Sequence, residues 1–95
     1  MKAKEIILDF TGCRYIVEFY NIIINAFDFP EWCGCNIDAL WDMLREPREN
    51  YVIIKGIKTM PQDLQEYFHK VHIILDRTWY HQARWGLYFD YKIID

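Results

Sequence analysis

Four glycines, three prolines and three cysteines are all that this 95-residue chain contains of each. The glycines never cluster into a phosphate-cradling loop, and no serine stands in a nucleophile elbow, so the common nucleotide-binding and hydrolase signatures are missing. No apolar run approaches the roughly 20 residues that a bilayer crossing needs. The longest candidate, Ile22-Ile23-Ile24, is flanked by asparagines. Met1-Lys2-Ala3-Lys4-Glu5 has no apolar stretch behind it of the kind that export requires. Basic residues are not in excess either. Eleven Lys and Arg stand against 14 Asp and Glu, a net charge of −3. That balance argues against general nucleic-acid binding, which calls for a basic face, and it suits a basic protein partner. An odd cysteine count without an export signal points to a reducing, cytoplasmic setting.

What is abundant is apolar and aromatic. Hydrophobic residues make up 53% of the chain and aromatics 18%, which excludes a disordered tail. The length supports one core, and residues 1–95 read as a single domain. Glu5–Phe10 has the near-continuous apolar character of a strand covered by helices. From about Arg14 to Phe27, Tyr15, Phe19, Ile22, Ile23 and Ala26 recur at helical spacing. A loop follows from Asp28 to Cys35. Asn36 is a helix cap, and Ile37, Leu40, Trp41 and Leu44 form the apolar stripe of a second helix ending near Leu44 or Arg45. Tyr51–Lys55 is a strand closed by Gly56. Pro61 fits the first turn of a third helix, with Leu64, Phe68, Val71, Leu75 and Trp79 on its core face. Leu87–Ile94 reads as a last strand. The order β-α-α-β-α-β predicts a two-layer α/β domain with a three-stranded parallel sheet packed by helices.

The second helix carries the densest chemistry. With Ile37 at zero, Trp41 lies about 40° round the helix, Asp38 about 100° and Asp42 about 140°. Two carboxylates therefore stand one turn apart, off the core, with an indole beside them. Asp38 has a purely structural explanation as a first-turn acid at the positive helix end. Asp42, one turn further on, is harder to explain that way, and it repels Asp38 unless Arg45 offsets it; a solvated acidic face is the plain alternative to a surface for a cationic partner. Between Asp28 and Asn50 the acids are Asp28, Glu31, Asp38, Asp42, Glu46 and Glu49, against only Arg45 and Arg48. The acidity of the chain is concentrated there, where it can steer a cationic partner. Two weaker constellations stand beside this one. Cys33 and Cys35 flank Gly34 near a helix start, where thiols can be activated, although loop cysteines are more often inert. His69, His72 and Asp76 share one exposed side of the third helix, with no further ligand or nucleophile to complete a site.

The stretch Phe29-Pro30-Glu31-Trp32-Cys33-Gly34-Cys35-Asn36-Ile37-Asp38-Ala39-Leu40-Trp41-Asp42-Met43-Leu44 resembles the barstar family, bacterial intracellular inhibitors of barnase-type ribonucleases. Asp38-Ala39-Leu40-Trp41-Asp42 is its most specific part. The resemblance implies a barstar-like fold and a protein that is not an enzyme, needs no cofactor or metal, and plugs a small basic ribonuclease. It implies neither a membrane nor direct nucleic-acid contact, and a monomer when free is expected. By the same resemblance, Asp42 is the principal ionic anchor and Asp38 its companion. Trp32 stands where the family has a contacting tyrosine, and Trp41 matches an interface tryptophan. Gly34 and Asn36 match loop positions that shape the approach. The family uses a glutamate near the end of its third helix; here Asp76 and Arg77 align equally well, so that role has no clear holder. Cys33 and Cys35 depart from the family pattern, and Trp79–Trp85 reads as a lengthened connection. A barstar-fold interaction module with a non-nuclease partner is the alternative, and the sequence does not separate the two.

Overall fold

The structure, a computed structural model, describes residues 3–30 and 34–95. Three strands, β1 (Lys4–Asp9), β2 (Asn50–Lys55) and β3 (Phe89–Ile93), form one parallel sheet in the order β1-β2-β3. The helices are α1 (Ile16–Phe27), α2 (Ile37–Leu44) and α3 (Gln62–Arg84), with a short 3-10 turn at Ile57–Thr59. Parallel crossovers are right-handed in nearly all proteins. Three strands laid down in chain order therefore send every helix to the same face of the sheet. The two-layer α/β prediction holds, and the sheet's second face stays open.

That one-sided covering corrects the reading of β1 as a continuous buried strand. Its residues alternate: Ile6 and Leu8 are buried while Ile7 is 49% exposed. Val52 and Ile54 of β2 and Phe89 of β3 line the same inner face. Against them pack Phe19, Tyr20 and Ile23 of α1, Leu40 and Leu44 of α2, and Leu64, Phe68, Val71 and Leu75 of α3. The Tyr20 and Tyr67 hydroxyls bond one another across α1 and α3.

Several ends differ from expectation for local reasons. The first helix begins at Ile16 because the Glu18 carboxylate reaches back to the backbone N–H groups of Arg14 and Tyr15, at 3.0 and 3.2 Å. It ends at Asp28, which adopts a left-handed φ of 58°, a conformation that aspartate tolerates better than most side chains. Pro61 sits just outside α3 as its cap rather than in its first turn, and its carbonyl accepts from Leu64 and Gln65. The third helix runs through the segment read as a long connection and stops only at Arg84.

Trp79 is not on the core face, as it is 49% exposed. Thr78 and Gln82 are buried in its place. Helical geometry explains the choice, since Gln82 returns to the direction of Leu64 while Trp79 lies about 60° round from it. Thr78 fits the interior because its hydroxyl donates to the Ile74 carbonyl at 2.8 Å, leaving no unpaired polar group.

Candidate protein-docking site

The second helix is short, so its ends decide its rigidity. At the start, the Asn36 side-chain oxygen accepts from the Ala39 N–H at 2.8 Å, and the Asn36 carbonyl accepts from Leu40 at 3.1 Å. This is the cap the sequence predicts. Gly34 lies close against it: a Cβ at Gly34 would stand 3.0 Å from Asn36 Nδ2 and 3.4 Å from the Ala39 Cβ. The bare glycine thus gives the loop room to lie on the cap.

At the other end, Gln82 is fully buried. Its amide nitrogen donates to the carbonyls of Leu44 and Glu46, at 2.9 and 2.7 Å. Its oxygen accepts from the Arg48 N–H at 3.3 Å. Carbonyls that a helix leaves unpaired at its C-terminus are in this way satisfied from α3.

Arg48 closes the same region. Its guanidinium donates to the Met43 carbonyl at 3.0 Å and to the Asn50 side chain at 3.4 Å. It also lies over the rings of Phe27 and Phe29, 5.7 and 5.2 Å from their centroids. Those two rings stack at 5.0 Å. The chain therefore leaves α1 at a fixed point before it enters the loop ahead of α2. Burial lowers the Arg48 pKa below its ordinary value, a shift that leaves an arginine charged at neutral pH.

On this frame the outer side of α2 faces water. Asp38 and Asp42 are both exposed. Asp42 pairs with Arg45 at 3.8 Å, with both side chains more than half exposed, so the pair is worth little in a solvated setting. It places a base where it offsets the repulsion between the two carboxylates. Trp41 is half-buried. The His81 ring meets its indole edge-on at 5.6 Å, and the Arg77 guanidinium lies 5.3 Å from its ring centroid. His81 in turn packs against Trp85 at 5.9 Å. Beyond these rings, a shallow concavity of about 590 Å³ opens between Asp42, Glu46, His81 and Trp85.

The structure thus brings Gly34, Asn36, Asp38, Trp41 and Asp42 together. Trp32 lies outside the described residues, as does Cys33, so the Cys33-Cys35 pair stands beyond them too. Cys35 is exposed and Cys13 is buried. Burial raises the Cys13 pKa.

Asp76 and Arg77 face different neighbours. Asp76 turns to β3, where it accepts a short hydrogen bond from the Tyr91 hydroxyl. That hydroxyl's single proton is committed, so its oxygen accepts from His72 Nε2 at 2.7 Å. Burial, then the Asp76 bond, raises the Tyr91 pKa. Of the expected histidine cluster, His72 and Asp76 converge while His69 stays exposed and shares only a shallow concavity with His72. Arg77 faces α2. Among the described residues, no group of three or more His, Cys, Asp or Glu side chains gathers as metal ligands would. Among the described residues, no helix is long and apolar enough to cross a membrane.

Sequence reasoning missed Gln82 and His81, and it met Arg48 only as one of two bases in the acidic stretch. Each acts through tertiary partners, and only the helical return of Gln82 to the core stripe was available as a signal.

Against known families, the model described as Barstar (barnase inhibitor) matches residues 3–92. A comparison with curated proteins gives no match.

Proposed function

The chain belongs to the Barstar family, and we propose that it inhibits a small basic barnase-type ribonuclease by seating α2 and the loop before it in the active-site cleft. The observation that carries this reading is the placement of Asp38 and Asp42. They stand exposed, one turn apart, on a helix capped by Asn36 and held at its far end by Gln82. A ribonuclease cleft holds a polyanion, so a rigid carboxylate pair imitates the phosphates that the cleft expects. Rigidity matters because binding then spends little on ordering the contact groups. In this role Asp42 is the principal anchor and Asp38 its companion. Trp41 supplies apolar area, Trp32 supplies more from the loop, and Gly34 and Asn36 set the approach. The charge concentrated between Asp28 and Asn50 steers the encounter. The inhibitor works in the cytoplasm, where it protects RNA from the nuclease.

The test is a titration of a barnase-type ribonuclease, read by RNA cleavage at low and moderate salt, with Asp42→Ala as control. Inhibition is expected to saturate near one equivalent. Removing one partner of a buried charge pair costs about 3 kcal/mol or more, so the variant should bind at least about a hundredfold more weakly. Absence of inhibition at every ratio would sink the ribonuclease reading and leave a barstar-fold module with another protein partner.

A further inference from the structure

We infer that Arg77 is a specificity-determining contact of the docking face, and that the cognate partner sets a carboxylate opposite it, beside the cationic groups that receive Asp38 and Asp42. The inference rests on the docking role proposed for α2 and names the charge pattern of the partner. Arg77 is exposed, and its guanidinium lies 5.3 Å from the centroid of Trp41, the residue between the two proposed anchors. Stacking on an indole holds the guanidinium in place while leaving its N–H edges free to donate. Among the described residues no carboxylate lies within 4.0 Å of Arg77, whereas Asp42 pairs with Arg45 and Asp76 is drawn to His72 and Tyr91 on the β3 side.

The cation also has company on its helix. Lys70, Arg77 and Arg84 recur every seven residues, a repeat that drifts only about 20° round an α-helix, and all three are exposed. The docking face is therefore bipolar, with acids on α2 and bases on α3. A cleft lined only by lysine and arginine would welcome Asp38 and Asp42 and meet Arg77 with like charge. Juxtaposed like charges reject a partner as effectively as opposite ones select it. A guanidinium desolvated at an interface needs an anion opposite it. The partner that fits both halves is a protein carrying at least one acidic side chain at the α3 end of an otherwise basic cleft.

The test titrates a barnase-type ribonuclease with an all-basic cleft rim, using the full chain as wild type, R77E, R77Q and R77K. Asp42→Ala is added to the wild type and to R77E, and circular dichroism checks the fold of each variant. R77E is expected to inhibit at least tenfold more tightly than wild type at low salt. R77Q should fall between them, R77K should resemble wild type, and the gap should shrink as salt rises. The gain should vanish when Asp42→Ala is added. If wild type inhibits tightly through Asp42 and R77E does no better, the inhibitor role stands and the inference falls. If R77E and R77Q both weaken inhibition, Arg77 only braces Trp41, and the inference falls again. If neither wild type nor R77E inhibits, both readings fail.

Discussion

The Gln82 amide donates to the Leu44 carbonyl at 2.9 Å, joining the last residue of α2 to the interior of α3. Because the same side chain also bonds Glu46 and Arg48, it fixes the end of the proposed docking helix and the chain that leaves it. Replacing Gln82 with leucine would keep the volume and remove all three bonds. Buried backbone groups left unpaired cost about 1–3 kcal/mol each, and some will find water. The expected loss is about 2–4 kcal/mol of stability, read as a lower urea midpoint at unchanged slope. A variant within 0.5 kcal/mol of wild type would show that the three bonds are replaceable.

A second test of the frame concerns Gly56, between β2 and the 3-10 turn. Its φ is 82°, and a Cβ there would stand 2.4 Å from the Thr11 backbone nitrogen. Gly12 has a similar φ of 79° with nothing within 4 Å. The pair separates backbone strain from collision. Gly12→Ala should cost about 1–2 kcal/mol, the left-handed penalty alone. Gly56→Ala adds a clash against the Thr11 backbone, which must shift to admit the methyl group, and should cost about 3 kcal/mol or more. Equal losses in thermal or urea unfolding would contradict the close approach of Gly56 to Thr11 just beyond the paired ends of β1 and β2.

Much of this fold was legible in the sequence. Asn36 before the stripe Ile37, Leu40, Trp41 and Leu44 predicts α2 with its observed bounds, because cap and periodicity agree. Trp79 was misplaced because it and Thr78 are both admissible continuations from Leu75. A large apolar side chain looks more like core than a threonine does, yet the rotation of α3 turns Thr78 inward, where it bonds its own helix. Gln82 was invisible for a related reason, since a buried amide is favourable only when tertiary carbonyls await it, and the sequence does not display them. Asp76 and Arg77 stand about 100° apart at the edges of one core stripe. Which of them meets α2 depends on how α3 is rotated, and that rotation is set by the packing of Leu75, Thr78 and Gln82.

The Tyr91 hydroxyl offers a pH test remote from the docking face. Burial and the bond to Asp76 raise its pKa in the folded protein. The folded state thus holds this proton more tightly than the unfolded chain, whose tyrosines ionise near pH 10. By linkage, the contribution is fully present below about pH 10 and is lost as pH rises beyond it. Tm should therefore fall above about pH 10, and Tyr91→Phe should flatten that fall. In an ultraviolet titration, Tyr91→Phe should remove one late-ionising tyrosine from the curve. An unchanged titration curve for the variant would refute the assignment.

Asn36 links stability to recognition most directly. Its side chain satisfies the Ala39 N–H at 2.8 Å, and losing such a cap costs about 1 kcal/mol. In an eight-residue helix that loss falls on the first turn, which carries Asp38. Asn36→Ala should therefore lower stability modestly and weaken ribonuclease inhibition, because part of the binding energy must then reorder the turn. Asn36→Asp keeps a capping oxygen and adds a negative charge at the positive helix end. It should retain the stability that alanine loses, and its inhibition should lie closer to wild type. Asn36→Ala inhibiting as well as wild type, with its stability reduced as expected, would mean that Asp38 needs no rigid turn, and Asp42 alone would carry the ionic contact.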